Sequence, residues 1–144
     1  MPDIASIEFA RLGDSEESLL KRFGQPAQRE FIGELLRLTF DTTPFAQFCY
    51  FRNGRCVVVQ AYLRVLGYLG QVRALSIATA ISGAEKFDQV DATTWRSGII
   101  HVGLTNESGA PSSVLVGRAD ELWRHANRAT SLLGKIGEKL KRMF

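Results

Sequence analysis

Cysteine, histidine and long apolar runs are all scarce in this 144-residue chain, and each scarcity removes a class of function. Two cysteines are too few for a disulfide-stapled secreted scaffold. Two histidines, without an H-E-x-x-H, an acidic cluster or a Cys/His set at ligand spacing, give no reason to expect a protein-built metal site. Neither G-x-x-x-x-G-K-[S/T] nor a strand-linked G-x-G-x-x-G occurs, so no phosphate-cradling loop is expected. The longest uncharged apolar-rich stretch near the middle, "ALSIATAISGA" at 74–84, is far shorter than the ~20 residues that cross a bilayer. The opening "MPDIASIEFARLGDSEES" has early acidic residues and no apolar core of signal-peptide length. A cytoplasmic location is therefore expected, with a periplasmic one as the alternative if a leader has been removed.

What is present suits one folded domain, residues 1–144. The composition is 45% hydrophobic and 23% charged, and a chain of this size buries roughly 70% of its unfolded surface without help from disulfide or metal. The net charge of +3 is concentrated at one end. Residues 119–144 hold six basic and three acidic side chains, which accounts for the whole excess. That imbalance can favour an anionic partner but is much weaker than the footprint of a nucleic-acid binder.

Along the chain, "SIEFARLG" (6–13) alternates enough to read as a short strand or extended lead-in. A short helix follows in "GDSEESLLKRFGQP": Asp14 or Ser15 caps it, Glu16 and Glu17 favour its positive end, and Gly24 and Pro26 stop it. "REFIGELLRLTFD" (29–41) reads as a strand after Gly33. The segments on either side of Asn53-Gly54 predict a hairpin, because a two-residue type I′ turn needs positive φ at both central positions. Residues 67–85 read as a buried helix, then "TTWRSGIIHVGLT" (93–105) and "VLVGR" (114–118) as strands.

From Ala119 on, Leu122, Ala126, Ala129, Leu133, Ile136, Leu140 and Met143 recur at alternating intervals of four and three. That stripe predicts a basic amphipathic C-terminal helix over 119–144, bent near Gly134 and Gly137. It lies on its own domain, or else forms a dimer seam or meets an anionic partner. The expected fold is thus α+β: an antiparallel sheet of about five to six strands with helices packed on it, in the order β-α-β-β-β-α-β-β-α. The two halves share a helix-then-strands shape.

Candidate chemistry is thin. Counting from the Asn53-Gly54 turn, Cys56 faces Phe51 and Cys49 faces Val58, so the thiols are diagonal neighbours on one face and are expected to be buried and free. His101 alternates with Ile99 in a strand and reads as structural. Asp88 and Asp91 fall in a loop where they cap or turn the chain. No catalytic residue, metal ligand or cofactor is expected, and the chain is not read as an enzyme; a small enzyme with a site around His101 is the last alternative. The same counting puts Phe48, Tyr50, Val57 and Val59 together on the face opposite the cysteines. Both faces are then apolar and both need cover, which makes those four residues, with Arg128, Lys135, Lys139 and Arg142 of the last helix, the expected partner-binding set.

"SEESLLKRFGQPAQREFIGELLRLTF" followed by "YFRNGRCVVV", residues 15–59, resembles the small outer-membrane assembly lipoproteins, with Gly24, Gln25 and Pro26 in the helix-ending turn and Gly54 at the hairpin tip. The order of elements from Asp14 is similar to that of type III secretion chaperones, which are homodimers that bind extended client segments. Either resemblance implies a non-enzymatic domain that binds a protein or a second copy of itself.

Overall fold

The computed structural model describes residues 7–64, 68–106 and 112–124, with side chains as far as Glu121. Three helices and eight strands occur in the order α1 (Glu16–Phe23), β1 (Gln28–Ile32), β2 (Leu35–Thr42), β3 (Phe45–Arg52), β4 (Arg55–Leu63), α2 (Gln71–Ser82), β5 (Asp88–Asp91), β6 (Thr94–Ser97), β7 (Ile100–Thr105), β8 (Ser113–Arg118) and α3 (Ala119–Arg124). All eight strands form one sheet in the order β1-β2-β3-β4-β8-β7-β6-β5, and every pairing is antiparallel. Two four-stranded meanders thus meet along β4 and β8, and β1 and β5 are the edges.

This corrects the expected sheet of five to six strands and its β-α-β opening. The first expected strand does not form: residues 7–13 belong to no strand and touch the sheet backbone where the Gly13 N–H donates to the Cys56 carbonyl of β4 at 2.8 Å. Earlier in the segment a side chain serves its backbone: the Ala10 N–H donates to Gln47 Oε1 at 2.8 Å and Gln47 Nε2 donates to the Glu8 carbonyl at 2.9 Å. The extra strands are β1, which lies before Gly33 where no strand was expected, and those from a run, 93–105, that folds back. Gly33, at φ +61, divides 28–42 into β1 and β2, and Gly98, at φ +59, divides 94–105 into β6 and β7. A Cβ strains the backbone at such angles, so glycine turns the chain there. The supposed loop around Asp88 is β5, paired with β6.

Both N-terminal helices lie on one face of the sheet. Ser15 caps α1 by accepting from the Ser18 N–H at 3.1 Å, and Gly24 ends it at φ +80. Leu19 is fully buried beneath it. The buried stripe of α2 is Ala74, Ile77, Ala78 and Ile81, a spacing of three and four that aligns one side of a helix. These meet Leu38, Phe40, Phe45, Cys49, Phe51, Val59, Ala61, Trp95, Val102, Val114 and Val116 in the main core. Each large side chain fully buried there contributes roughly 1.5–3 kcal/mol.

The Asn53-Gly54 turn forms with positive φ at both residues, +52 and +76. A bulge follows at once: Phe51 pairs with Cys56, but Tyr50 pairs with Val58 and Cys49 with Val59. The extra residue rotates the rest of β4 by one place, which sends Val59 to the opposite face from the one that simple counting gives.

Candidate functional site

The face turned away from α1 and α2 carries the most distinctive side chains. The pairings set them in two adjacent rows across all eight strands. One runs Glu30, Arg37, Tyr50, Val58, Gly117, His101, Arg96, Asp88; the next runs Gln28, Thr39, Phe48, Gln60, Leu115, Gly103, Thr94, Asp91. The middle of each row is closed to solvent and the ends are open. Val58 is 0% exposed, Leu115 1%, Gln60 3% and His101 4%, whereas Arg96, Asp88 and Gln28 are exposed.

On the β2–β4 side of this face the rows form an aromatic and arginine patch. Alternation along "LLRLTF" puts Leu36, Leu38 and Phe40 under the helices and leaves Leu35, Arg37 and Thr39 on this side. The Arg37 guanidinium stands 5.2 Å from the Phe48 ring centre and 6.0 Å from that of Tyr50, and it is ion-paired with Glu30 of the edge strand. Phe48 meets Tyr62 edge to face at 5.2 Å. Burial disfavours the Arg37 charge, but hydrogen bonds to Glu30 and Tyr50 outweigh it and hold its pKa above the ordinary guanidinium value. The guanidinium is thus held over the Phe48 ring within cation–π range and at the edge of that range from Tyr50. Phe48, Tyr62 and Arg37 are only partly covered.

At the hairpin end of the same face, Arg52 binds two carboxylates. Its Nε donates to Glu121 at 2.6 Å and its Nη1 to Glu34 at 3.0 Å. Glu121, then Glu34, raise the Arg52 pKa. Glu121 is 3% exposed, so the ion pair ties α3 to this side of the sheet.

The sequence-derived partner residues are divided by this arrangement. Phe48 and Tyr50 belong to the patch, and Val57 lies beside Val58 in the same small cluster with Leu35 and Leu115. Val59 does not join them, because the bulge buries it completely under the helices. Arg128, Lys135, Lys139 and Arg142, and the expected helix beyond Arg124, lie outside the described residues. Sequence reasoning missed Arg37, Tyr62 and Gln60; strand parity with Phe48 was the signal that could have found them.

The other candidate groups do not assemble into a site. Cys49 and Cys56 are free and buried on the helix side. The contact with Cys56 and then burial push the Cys49 thiol well above its ordinary pKa, which is opposite to what a nucleophile needs. Burial, then the neighbouring Arg96, lower the His101 pKa, keeping the imidazole neutral. Asp88 lies across from Arg96, not His101, and Asp91 is held in a turn by the Thr93 N–H at 2.9 Å. A groove of about 310 Å³ beside the end of α2 is lined by Arg11, Leu12 and residues 79–83, and none of the groups above lines it. Among the described residues, no cluster of three metal-ligating side chains exists, and no helix is long and apolar enough to cross a membrane.

No family model and no curated protein matches the chain. A solved structure is similar in fold: a cysteine-rich secretory protein from Staphylococcus aureus, at a TM-score of 0.52 and 16% identity, covering 78% of this chain. The chain spans 46% of that protein's length, and at this identity the likeness concerns the fold alone.

Proposed function

We propose that this chain is a non-enzymatic protein-binding domain whose contact surface is the patch of Arg37, Phe48, Tyr50 and Tyr62. The observation that supports this reading is the half-covered stack of Arg37 on Phe48, beside Tyr62. Aromatic side chains and arginine offer large contact area with few rotors, and they dominate binding energy where a partner excludes water from them. Glu30 already neutralises Arg37 locally, so the surface favours a segment presenting apolar or aromatic side chains over a strongly acidic one.

The test is capture from lysate of the source cell by the immobilised chain, run beside a Phe48→Ala, Tyr62→Ala double variant. Proteins retained by the first and lost by the second are the expected result, with circular dichroism of the two chains superimposable. Identical retention by both would remove the patch from the reading. If instead the wild-type chain sediments as a dimer and the variant as a monomer, the partner is a second copy.

A further inference from the structure

The two edges of the sheet are finished differently. β5 is four residues long, carries Asp88 and Asp91, and is bulged between Gln89 and Asp91. Shortness, charge and a bulge are devices that keep an edge from accepting another strand. β1 lacks the bulge and the net charge. Its five residues pair with β2 in unbroken register from Gln28↔Thr39 to Ile32↔Leu35. Its two charges are cancelled from within the chain, Arg29 by Glu16 and Glu30 by Arg37. Among the described residues no strand lies on its outer side, and Phe31 there is 68% exposed. Which backbone groups are left open follows from the turn. Gly33 and Glu34 join β1 to β2, so the closing pair Ile32↔Leu35 is hydrogen-bonded, and bonded and unbonded pairs alternate from there. Glu30 and Gln28 therefore turn their N–H and C=O groups to β2, while those of Arg29 and Phe31 point outward. The same two residues meet through their side chains, with the Arg29 guanidinium 5.9 Å from the Phe31 ring centre.

We infer that this edge is completed by β1 of a second copy, antiparallel about a two-fold axis at Glu30. In that register each Arg29 lies opposite Phe31 of the second copy, so the outward-facing residues exchange N–H···O=C bonds with one another, and Gln28 lies opposite Ile32. The side chains agree with the backbone. Each guanidinium gains a second aromatic ring, and both exposed rings leave water. Glu30 meets its own counterpart on the other face, where the Arg37 of each copy already offsets its charge. The pairing is isologous and closes at two copies, whereas β1 on the β5 of another copy would be head-to-tail and would meet the bulge. An edge of five residues makes a small interface and hence a weak one. It leaves Phe48 and Tyr62 open, and it stands whether or not their patch binds a partner.

The test is sedimentation equilibrium of the full chain from ~10 μM to ~1 mM, the range in which an interface this small associates. Amide exchange is read residue by residue by NMR at both ends of that range. A monomer–dimer equilibrium is expected, with exchange at Arg29 and Phe31 slowed at least threefold at the high end and exchange at Glu30 and Ile32 unchanged. Phe31→Lys, which alters no backbone group, should weaken the dimer at least tenfold while the near-ultraviolet dichroism is kept. Phe31→Pro, which removes only an outward N–H, should do the same. Monomers throughout, with Arg29 and Phe31 exchanging freely, would leave the edge to a foreign strand and overturn the inference. So would a dimer whose protection falls on other amides, or one that either variant leaves intact.

Discussion

On the helix side of the sheet, two helices with strong local signals close over a continuous apolar layer from Leu38 to Val102. On the other side a smaller cluster of Leu35, Tyr50, Val57, Val58 and Leu115 lies beside a charged, aromatic patch. The first face is built from side chains that only need to exclude water. The second mixes arginine, glutamine and histidine among them, groups that are costly to bury without partners. Stability is therefore concentrated on the helix side, and the proposed contact surface lies on the other. The largest expected break in this contrast is Phe40→Ala, which empties a fully packed site on the helix side and should cost about 3–5 kcal/mol. Urea unfolding at unchanged slope measures it. Phe48→Ala, half-exposed on the other face, should cost less than half as much; equal losses would mean that the two faces carry the fold alike.

A second test sharpens how tightly β4 and β8 are packed. A Cβ on Gly117 would come within 2.8 Å of Val58 Cγ2 and 3.4 Å of the Val57 carbonyl oxygen. Valine is stiff at χ1 and cannot swing clear, so Gly117→Ala should destabilise by about 1–3 kcal/mol. Adding Val58→Ala removes the clashing methyls, and the double variant should be more stable than the sum of the two single losses allows, by ~1 kcal/mol or more. Simple additivity would show that β4 and β8 shift apart instead.

These two faces were unequally legible in the sequence. The capped α1 and the Asn53-Gly54 turn rest on local rules and formed where those rules put them, and α2 formed within the expected 67–85 as the shorter Gln71–Ser82, with Val72 exposed. Strand number was not legible, because Gly33 and Gly98 turn the chain inside runs whose alternation continues across the turn. The bulge after Tyr50 cost more: one extra residue moved Val59 from the proposed surface into the core and set Gln60 in its place opposite Phe48, with Val58 opposite Tyr50. Nothing in "RCVVVQ" marks which of three adjacent valines is the extra one. Gln47 shows the converse failure, since a polar residue at a core position was supplying hydrogen bonds to residues 7–13 in place of a strand.

His101 separates the two faces by pH. Burial and then Arg96 depress its pKa below the ordinary 6.5, so the folded chain keeps the imidazole neutral while the unfolded chain takes up a proton. The unfolded state binds more protons as pH falls through 6.5, and the stability that the neutral form contributes, complete above that pH, is lost progressively below it. His101→Gln should therefore flatten the decline in unfolding midpoint between pH 7 and pH 5, whereas Phe40→Ala should lower the midpoint without changing that slope. Parallel slopes for His101→Gln and wild type would mean that the imidazole is protonated in place.

The smallest effect on stability should come from Arg37, and there the contrast between faces is most direct. Its pair with Glu30 lies near the surface at the sheet edge, where such contacts are worth at most about 1 kcal/mol, and its stacking on Phe48 adds a further ~0.5–1 kcal/mol. Arg37→Gln should thus lower stability by no more than about 2 kcal/mol, yet reduce retention of a captured partner at least tenfold. Arg37→Lys distinguishes the cause. Lysine keeps the charge beside Glu30 but has no planar group to lie over the rings. Retention that stays low in the lysine variant assigns recognition to the planar guanidinium beside Phe48 and Tyr50. Full recovery would assign it to charge alone, and the aromatic rings would then belong to the fold and not to the contact surface.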